Sequence, residues 1–166
     1  MSEVEFSRPV RAHEVGQARS HQISAGPDEC AALARRFDLL ALDGLEAVLE
    51  LARTASGIRL TGRIRASGAQ ACVRTGTPVP FALEDRLALR LVEAAPEGEE
   101  IELSAEDLDS EPLAGDVIDL GEYAAQALAL ALDPYPRSKA PAPLIISEEA
   151  ARAAASPFAV LKKGDA

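Results

Sequence analysis

Apolar and polar residues alternate along three stretches between Leu45 and Val92, which is typical of strands with one buried face. The first run has an apolar residue at every second position: Leu45, Ala47, Leu49 and Leu51. The second, from Ile58 to Ala66, divides its residues between two faces: Ile58, Leu60 and Ile64 against Arg59, Thr61, Arg63 and Arg65. The third, from about Phe81 to Val92, does the same: Leu83, Leu87, Leu89 and Leu91 inward, Glu84, Arg86 and Arg90 outward. These runs predict an antiparallel meander with one face in water.

Two other stretches have helical spacing. Gly26-Pro27-Asp28-Glu29 predicts a helix start, because proline suits the first helical position and carboxylates suit the positive end of the helix dipole. Its apolar stripe follows: Cys30, Leu33, Ala34 and Phe37. The second helix is predicted to begin at Asp119, which stands at capping-box spacing from Glu122, and to end before Pro134. Its apolar face is wide: Leu120, Tyr123, Ala124, Ala127, Leu128 and Ala131.

The remaining segments complete the predicted architecture. Two short strands are expected at Val4 to Val10 and His21 to Ser24, and the acidic stretch Ala95 to Gly115 is predicted to be a long loop with one helical turn at Ser104 to Leu108. We therefore expect an α+β fold, in which a mainly antiparallel sheet or open barrel is packed by two main helices. The expected division is a single domain over 1–136, followed by a Pro/Ala-rich C-terminal extension over 137–166 with an apolar tail motif.

The charge of the chain is unevenly distributed. The 166 residues carry a net charge of −10, yet thirteen acidic residues and no Lys or Arg lie between Leu91 and Pro136. The acidic region either provides solubility or forms a repulsive surface that restricts where a polyanion can bind. The longest apolar-rich stretch, Ala124 to Leu132, is far shorter than the roughly 20 residues of a membrane span, and the start lacks the features of a signal peptide. A cytoplasmic protein with free Cys30 and Cys72 is expected.

Few residues favour catalysis. The histidines, His13 and His21, both lie near the N-terminus, and no serine or cysteine has the setting of a nucleophile. The sequence also lacks a phosphate loop, a dinucleotide fingerprint and an HExxH pair. We therefore expect that the protein is not an enzyme and has neither a cofactor nor a small-molecule substrate.

The stretch Cys72-Val73-Arg74-Thr75 is half of a zinc knuckle, because two thiolates at this spacing can face one tetrahedral ion. Thr75 occupies the second position, and a neutral hydroxyl does not replace a thiolate. No other Cys or His motif supplies a four-ligand set, so no metal is expected. Thr75 instead suits a hydrogen bond from its hydroxyl to the backbone of the turn before Gly76.

The best candidate binding surface is a stripe of arginines on the polar face of the predicted sheet. Its members are Arg59, Arg63 and Arg65, extended by Arg86 and Arg90 on the paired strand. Guanidinium groups at two-residue spacing share one face and bind phosphate in a bidentate manner. In the alternative interpretation, carboxylates of the same face neutralise the stripe: Glu46, Glu50 and Glu84. Because the stripe lacks aromatic residues, any RNA contact is expected to be to backbone and shape.

Three segments together resemble the YceD-like family, the large ribosomal RNA subunit accumulation proteins. The first is the turn at Cys72, Arg74 and Thr75 with the following Pro78, where many relatives have Cys-x-x-Cys. The second is Ile118-Asp119-Leu120-Gly121-Glu122, which leads to Leu130-Ala131-Leu132-Asp133-Pro134-Tyr135-Pro136. The third is the tail, in which relatives often read Asn-Pro-Phe-Ala-x-Leu: Ser156, Pro157, Phe158, Ala159, Val160, Leu161 and Lys162.

The resemblance implies a non-enzymatic bacterial factor that supports synthesis, processing or stability of the large-subunit (23S) ribosomal RNA. The expected partners are that RNA, an early large-subunit ribosomal protein, or both, and no membrane. The alternative is an acidic, chaperone-like module that holds a basic ribosomal protein without RNA contact, with the region from Glu97 to Glu122 as its surface. The apolar tail is predicted to be a docking segment, and docking within the chain or onto a partner both remain open.

Overall fold

The computed structural model describes residues 5–93, 110–113 and 115–139. Within these residues the chain forms seven strands, two α-helices and a single 3₁₀ turn at Ala12–Glu14. The strands are β1 (Pro9–Arg11), β2 (Arg19–Ser24), β3 (Ala41–Thr54), β4 (Gly57–Ala71), β5 (Pro78–Glu93), β6 (Ser110–Leu113) and β7 (Val117–Asp119). The helices are α1 (Pro27–Arg36) and α2 (Leu120–Ala131).

Five of the strands form one open sheet in the order β2-β3-β4-β5-β6. The pairs β2–β3, β3–β4 and β4–β5 are antiparallel, whereas β6 runs parallel to β5. The remaining strands, β1 and β7, pair with each other in a two-stranded antiparallel sheet. The prediction of an α+β fold with a mainly antiparallel sheet and two helices is confirmed, and the larger sheet is open, with β2 and β6 at its edges.

The alternation in β3 and β4 gives the larger sheet one buried and one exposed face. The buried side chains come from every second position: Leu45, Ala47, Leu49 and Leu51 from β3, and Ile58, Leu60, Ile64 and Ala66 from β4. Helix α1 packs on β3, and α2 packs on β4 and β5, so both helices cover this side. We call the opposite side of the sheet, which no described helix covers, the outer face. Burial of this apolar surface is the main driving force for the fold.

Helix α1 begins as the sequence predicts, with Gly26 as N-cap and Pro27 in the first turn. The Glu29 carboxylate accepts a hydrogen bond from the Gly26 backbone N–H at 2.7 Å. It also pairs with the Arg8 guanidinium at 2.8 and 3.0 Å, and this pairing lowers the pKa of Glu29. Arg8 therefore attaches the N-terminal segment to the first turn of α1.

Helix α2 begins at the motif Asp119 to Glu122. The Asp119 carboxylate accepts hydrogen bonds from the backbone N–H groups of Gly121 and Glu122, as an N-cap does. The predicted capping box is only half present, because the Glu122 carboxylate instead binds the Arg36 guanidinium of α1 at 2.6 and 2.8 Å. In the described part of the chain, no helix is long and apolar enough to cross a membrane.

Some boundaries differ from those expected from the sequence. The strand predicted at Val4 to Val10 is Pro9–Arg11, and the predicted long loop to Gly115 contains strand β6 at its end. Strand β6 was missed because it is four residues long and includes a proline. The helical turn expected at Ser104 to Leu108 and most of the extension 137–166 lie outside the described residues, so the division at 136 stays a prediction.

Candidate nucleic-acid interface

The outer face carries all five arginines of the predicted stripe. Arg59, Arg63 and Arg65 alternate along β4 with the buried positions Ile58, Leu60 and Ile64. Arg86 and Arg90 alternate along β5 with Leu87 and Leu91, of which Leu91 is buried. The helices cover the other side, so these guanidinium groups lie on the side of the sheet that no described helix packs against. The structure therefore places the five arginines on one surface.

The register of β4 and β5 sets arginines directly opposite each other. Arg59 pairs with Arg90, and Arg63 pairs with Arg86. Directly opposite side chains have Cβ atoms about 5 Å apart, and like charges at this spacing destabilise a sheet. The sequence predicted the shared face but not this pairing, which depends on the register of the hairpin between the two strands.

The carboxylates of the alternative interpretation also lie on this face, and one of them is paired. Glu84 contacts Arg65 at 2.8 Å and Arg63 at 3.5 Å. The side chains of Arg63 and Arg65 are 62% and 69% exposed, so these ion pairs contribute little stability, about 0–1 kcal/mol each. Glu46 lies opposite Arg65 on the β3 side, and Glu50 lies opposite Thr61. Acidic residues therefore border the arginines on β3 and neutralise part of the stripe.

The floor between the opposed arginines is small and uncharged. Thr61 lies between Arg59 and Arg63 on β4, and its partner on β5 is Ala88. A shallow hollow of about 440 Å³ lies between Arg59 and Arg90, and its other lining residues are Thr54, Ser56, Thr61, Ala88 and Leu89. Sequence reasoning placed Thr61 on the polar face but did not assign it a role. Its position between two arginines at two-residue spacing was the available signal.

The turn at Cys72 joins the first two segments that resemble the family. The Val73 N–H donates to the Pro136 carbonyl at 2.9 Å, and the Ser138 N–H donates to the Cys72 sulfur at 3.3 Å. From the end of β4, the Gln70 side-chain amide donates to the Asp133 carbonyl at 2.9 Å. Hydrogen bonds thus join the segment after α2 to the turn between β4 and β5, and the first two resemblance motifs are neighbours in space.

Within the turn, hydrogen bonds surround one sulfur atom. The Cys72 thiol is buried, and donors lower its pKa to about 6: first the Ser138 N–H, then the Thr75 hydroxyl and the backbone N–H groups of Arg74 and Thr75. The Thr75 hydroxyl also accepts from the Thr77 N–H at 3.4 Å, the turn bond that the sequence predicts. One thiolate and one hydroxyl do not form a four-ligand metal set. Across residues 5–93, 110–113 and 115–139, no three His, Cys, Asp or Glu residues cluster to hold a metal ion.

The two thiols should titrate in different pH ranges. Thiolate absorbance should give a midpoint near pH 6 for Cys72, because the folded state hydrogen-bonds its charged form, whereas burial raises the pKa of Cys30. This stabilisation should be fully present above the unfolded thiol pKa of about 8.5, and it should be lost as the pH falls through about 6. Thr75→Val should raise the midpoint, and Cys30→Ala should leave it unchanged. A wild-type midpoint above about 8, the ordinary thiol range, would contradict this arrangement.

The two histidines occupy separate surroundings. His13 pairs with Asp116 at 2.5 Å on an exposed surface. His21 lines a cleft of about 450 Å³ between β1 and β2, together with Glu14 and Arg19. Among the described residues that line this cleft there is no serine, threonine or cysteine. The cleft therefore has a histidine and a carboxylate but no side-chain nucleophile for a covalent mechanism.

Two predicted surfaces lie outside the described residues. These are the tail motif, with Pro157, Phe158, Val160, Leu161 and Lys162, and most of the acidic stretch from Glu97 onward. In the motif turn, Arg74 and Pro78 are exposed, and Pro78 opens β5. The structure places the five arginines on one face. It also places the Cys72 turn against the segment from Asp133 to Ser138.

Comparison with known proteins agrees with the resemblance seen in the motifs. No curated protein and no solved structure matches the chain. The family described as large ribosomal RNA subunit accumulation protein YceD matches residues 60–163. The matched region begins in β4, contains the Cys72 turn and α2, and extends through the tail motif. Because the match covers more than half of the 166 residues, the chain belongs to the YceD family of large ribosomal RNA subunit accumulation proteins.

Proposed function

We propose that this protein is a non-enzymatic cytoplasmic factor that supports accumulation of large-subunit ribosomal RNA by binding the RNA backbone with its outer face. The observation that carries the proposal is the register that sets Arg59 opposite Arg90 and Arg63 opposite Arg86. Like charges that lie directly opposite each other disfavour a sheet, and a phosphate group between two guanidinium groups accepts hydrogen bonds from both. An anionic ligand is thus the simplest physical reason for this arrangement.

The charge balance of the outer face favours a polyanion over β4 and β5. Strands β4 and β5 carry five arginines against three acidic residues, Glu84, Asp85 and Glu93, which gives a local charge of +2 although the whole chain is at −10. On β3, Glu46 and Glu50 repel phosphate and border the basic surface. The alternative of complete neutralisation is not favoured, because the described carboxylates of this face, Glu46, Glu50 and Glu84, are fewer than its five arginines.

The surroundings of the titratable groups support a binding role over catalysis. His13 contacts Asp116 on an exposed surface, and His21 lines a cleft whose described lining residues include no serine, threonine or cysteine. The Cys72 thiol is buried by the segment that follows α2 rather than open to a substrate. Catalytic sites instead bring a nucleophile, a base and an orienting group together.

Crosslinking in cells followed by sequencing of bound RNA tests the proposal. We expect enrichment of large-subunit ribosomal RNA and its precursors. Purified protein should bind fragments of that RNA with an affinity that falls steeply with salt, because counterions are released at each phosphate contact. Recovery of no ribosomal RNA above background, or binding insensitive to salt, would contradict it.

The acidic module that holds a basic ribosomal protein is the second candidate. Its proposed surface, from Glu97 to Glu122, lies mostly outside the described residues. Co-purification of a basic large-subunit protein that persists after RNase digestion would favour this candidate, because acidic surfaces attract basic partners without RNA.

A further inference from the structure

The arginine pairs of the outer face form a rectangle with a neutral centre. Arg59 and Arg90 form one short side, and Arg63 and Arg86 form the other, four residues along each strand. Four residues of a strand span about 13 Å, and the two strands are about 5 Å apart. Thr61 and Ala88 occupy the centre. The surface can therefore hold two separate phosphate positions with a gap between them.

Among the described residues, no aromatic side chain lies on this surface. The described phenylalanines and Tyr123 belong to the core or pack against it: Phe6, Phe37, Phe81 and Tyr123. Tyr135 follows α2 beside the Cys72 turn, at the end of the sheet. Proteins that bind single-stranded RNA stack its bases on aromatic side chains, and each stacked base contributes about 1–3 kcal/mol. Within the described residues, the outer face has no such stacking platform.

A double-stranded RNA does not require stacking. Its bases are already stacked inside the helix, and its wide, shallow minor groove presents phosphates and ribose 2′-hydroxyls. A sheet face with separated arginines and short central side chains can contact phosphates on either side of a shallow groove. Guanidinium groups are suited to phosphate oxygens because they donate in a fixed, planar geometry.

We propose that the outer face binds double-stranded RNA, with Arg59 and Arg86, at opposite corners of the rectangle, each holding a backbone phosphate. The inference rests on the proposed function and specifies which form of RNA the outer face binds. The Thr61 hydroxyl lies between the two arginine pairs on the outer face. It is therefore placed to hydrogen-bond a ribose 2′-hydroxyl, the group that separates RNA from DNA.

The acidic side chains limit where the bound RNA duplex can lie on the outer face. Glu84 is joined to Arg65 and Arg63 at one end of the rectangle, and Glu46 lies opposite Arg65 on the β3 side. Phosphates that passed over Arg65 would meet both carboxylates, so the footprint ends there. The duplex consequently lies over β4 and β5 on the Arg59 side of Glu84.

Fluorescence anisotropy with three labelled probes of one sequence tests this inference on the full chain. The probes are a 20-base-pair RNA duplex, the matching DNA duplex and one RNA strand that does not fold on itself. We expect the RNA duplex to bind roughly tenfold more tightly than the single strand, which lacks stacking partners on this face. Arg59→Ala and Arg86→Ala should each weaken duplex binding and reduce the salt slope by about 1, as loss of a phosphate contact does.

Two matched variants sharpen the test. Arg35→Ala removes the same charge from the exposed surface of α1, away from the outer face, and should leave the affinity unchanged. Thr61→Val keeps the shape of the side chain but removes its hydroxyl. It should reduce the preference for RNA duplex over DNA duplex, with little effect on the DNA duplex.

The outcomes separate this inference from the function on which it rests. Binding of the single strand as tight as that of the duplex, and sensitive to Arg59→Ala and Arg86→Ala, would overturn the inference and leave backbone binding in place. No salt-sensitive binding of any probe would overturn both. An equal loss with Arg35→Ala would mean that net charge, rather than the rectangle, determines binding.

Discussion

Asp119→Ala is expected to lower the free energy of unfolding by about 3 kcal/mol, because this carboxylate does more than cap a helix. Its oxygen atoms accept from the N–H groups of Gly121 and Glu122 in the first turn of α2. They also accept from the Arg8 N–H at 2.7 Å and the Ser7 hydroxyl at 2.6 Å. Alanine would leave four donors without this partner and would remove the side-chain bonds that join Ser7 and Arg8 to the start of α2. Urea unfolding measures the change.

Asp119→Asn is the matched control. Asparagine caps a helix about as well as aspartate, and its carbonyl oxygen can still accept from the backbone donors. We expect a loss of less than about 1 kcal/mol, since only the charge and one acceptor change. If Asp119→Ala cost no more than a surface cap, about 1 kcal/mol, the bonds to Ser7 and Arg8 would not stabilise the fold.

The role of Asp119 shows which part of the fold can be predicted from sequence. Its position before an apolar helical face predicts the start of α2, because the capping pattern is local. Its bonds to Ser7 and Arg8 could not be predicted, since they join residues more than one hundred positions apart. Gly121 also makes a contact that the local sequence does not predict. An added Cβ would lie 2.3 Å from the Phe6 carbonyl oxygen, so only glycine allows this close approach.

The strands show a similar limit. The centres of β3, β4 and β5 were predicted from alternation, but the strands extend further, for example to Ala71 in β4. Near that end the residues are small or polar, such as Ser67, Gly68 and Ala69, and they give no periodic signal. The parallel pairing of β6 with β5 was not predicted, because it depends on a non-local contact and a short strand.

For the candidate interface, sequence predicted the members but not their arrangement. Two-residue spacing places the arginines of β4 on one face whatever the pairing. Which residue of β5 lies opposite Arg63 depends on the turn from Cys72 to Thr77, where Gly76 adopts a positive φ of 69°. A shift of one residue would send the β5 side chains to the other face. Register therefore determines whether this surface carries cross-strand ion pairs or opposed cations.

Arg86→Glu is expected to stabilise the protein while it removes RNA binding. In the wild type, Arg86 lies opposite Arg63, so the substitution replaces a repulsive pair with an attractive one. A cross-strand pair of opposite charge contributes roughly 0.2–1 kcal/mol, and loss of the repulsion adds to that value. The urea midpoint should rise with an unchanged slope. The affinity for RNA duplex should fall at least roughly tenfold, because a phosphate contact is replaced by a repelling carboxylate.

Arg65→Glu is the control, because it makes the same change of charge on the same face with the opposite expected effect on stability. It breaks the 2.8 Å contact with Glu84 and places a third carboxylate between Glu84 and Glu46. The free energy of unfolding should fall by about 0.5–1 kcal/mol. If both variants shifted stability in the same direction, the net charge of −10, rather than local pairing, would determine how these substitutions change stability.

The stability and the RNA affinity of Arg86→Glu together test why arginines lie opposite each other on this face. If Arg86 were selected only for stability, reversal of its charge would not raise the free energy of unfolding. Binding sites, by contrast, commonly hold arrangements that lower stability. Higher stability together with lost binding would identify the opposed pairs as a site whose repulsion is relieved by the ligand. Higher stability with wild-type affinity would leave the repulsion unexplained and remove the outer face from the binding surface. Lower stability would mean that Arg86 has a structural role, and the argument from opposed charges would not hold.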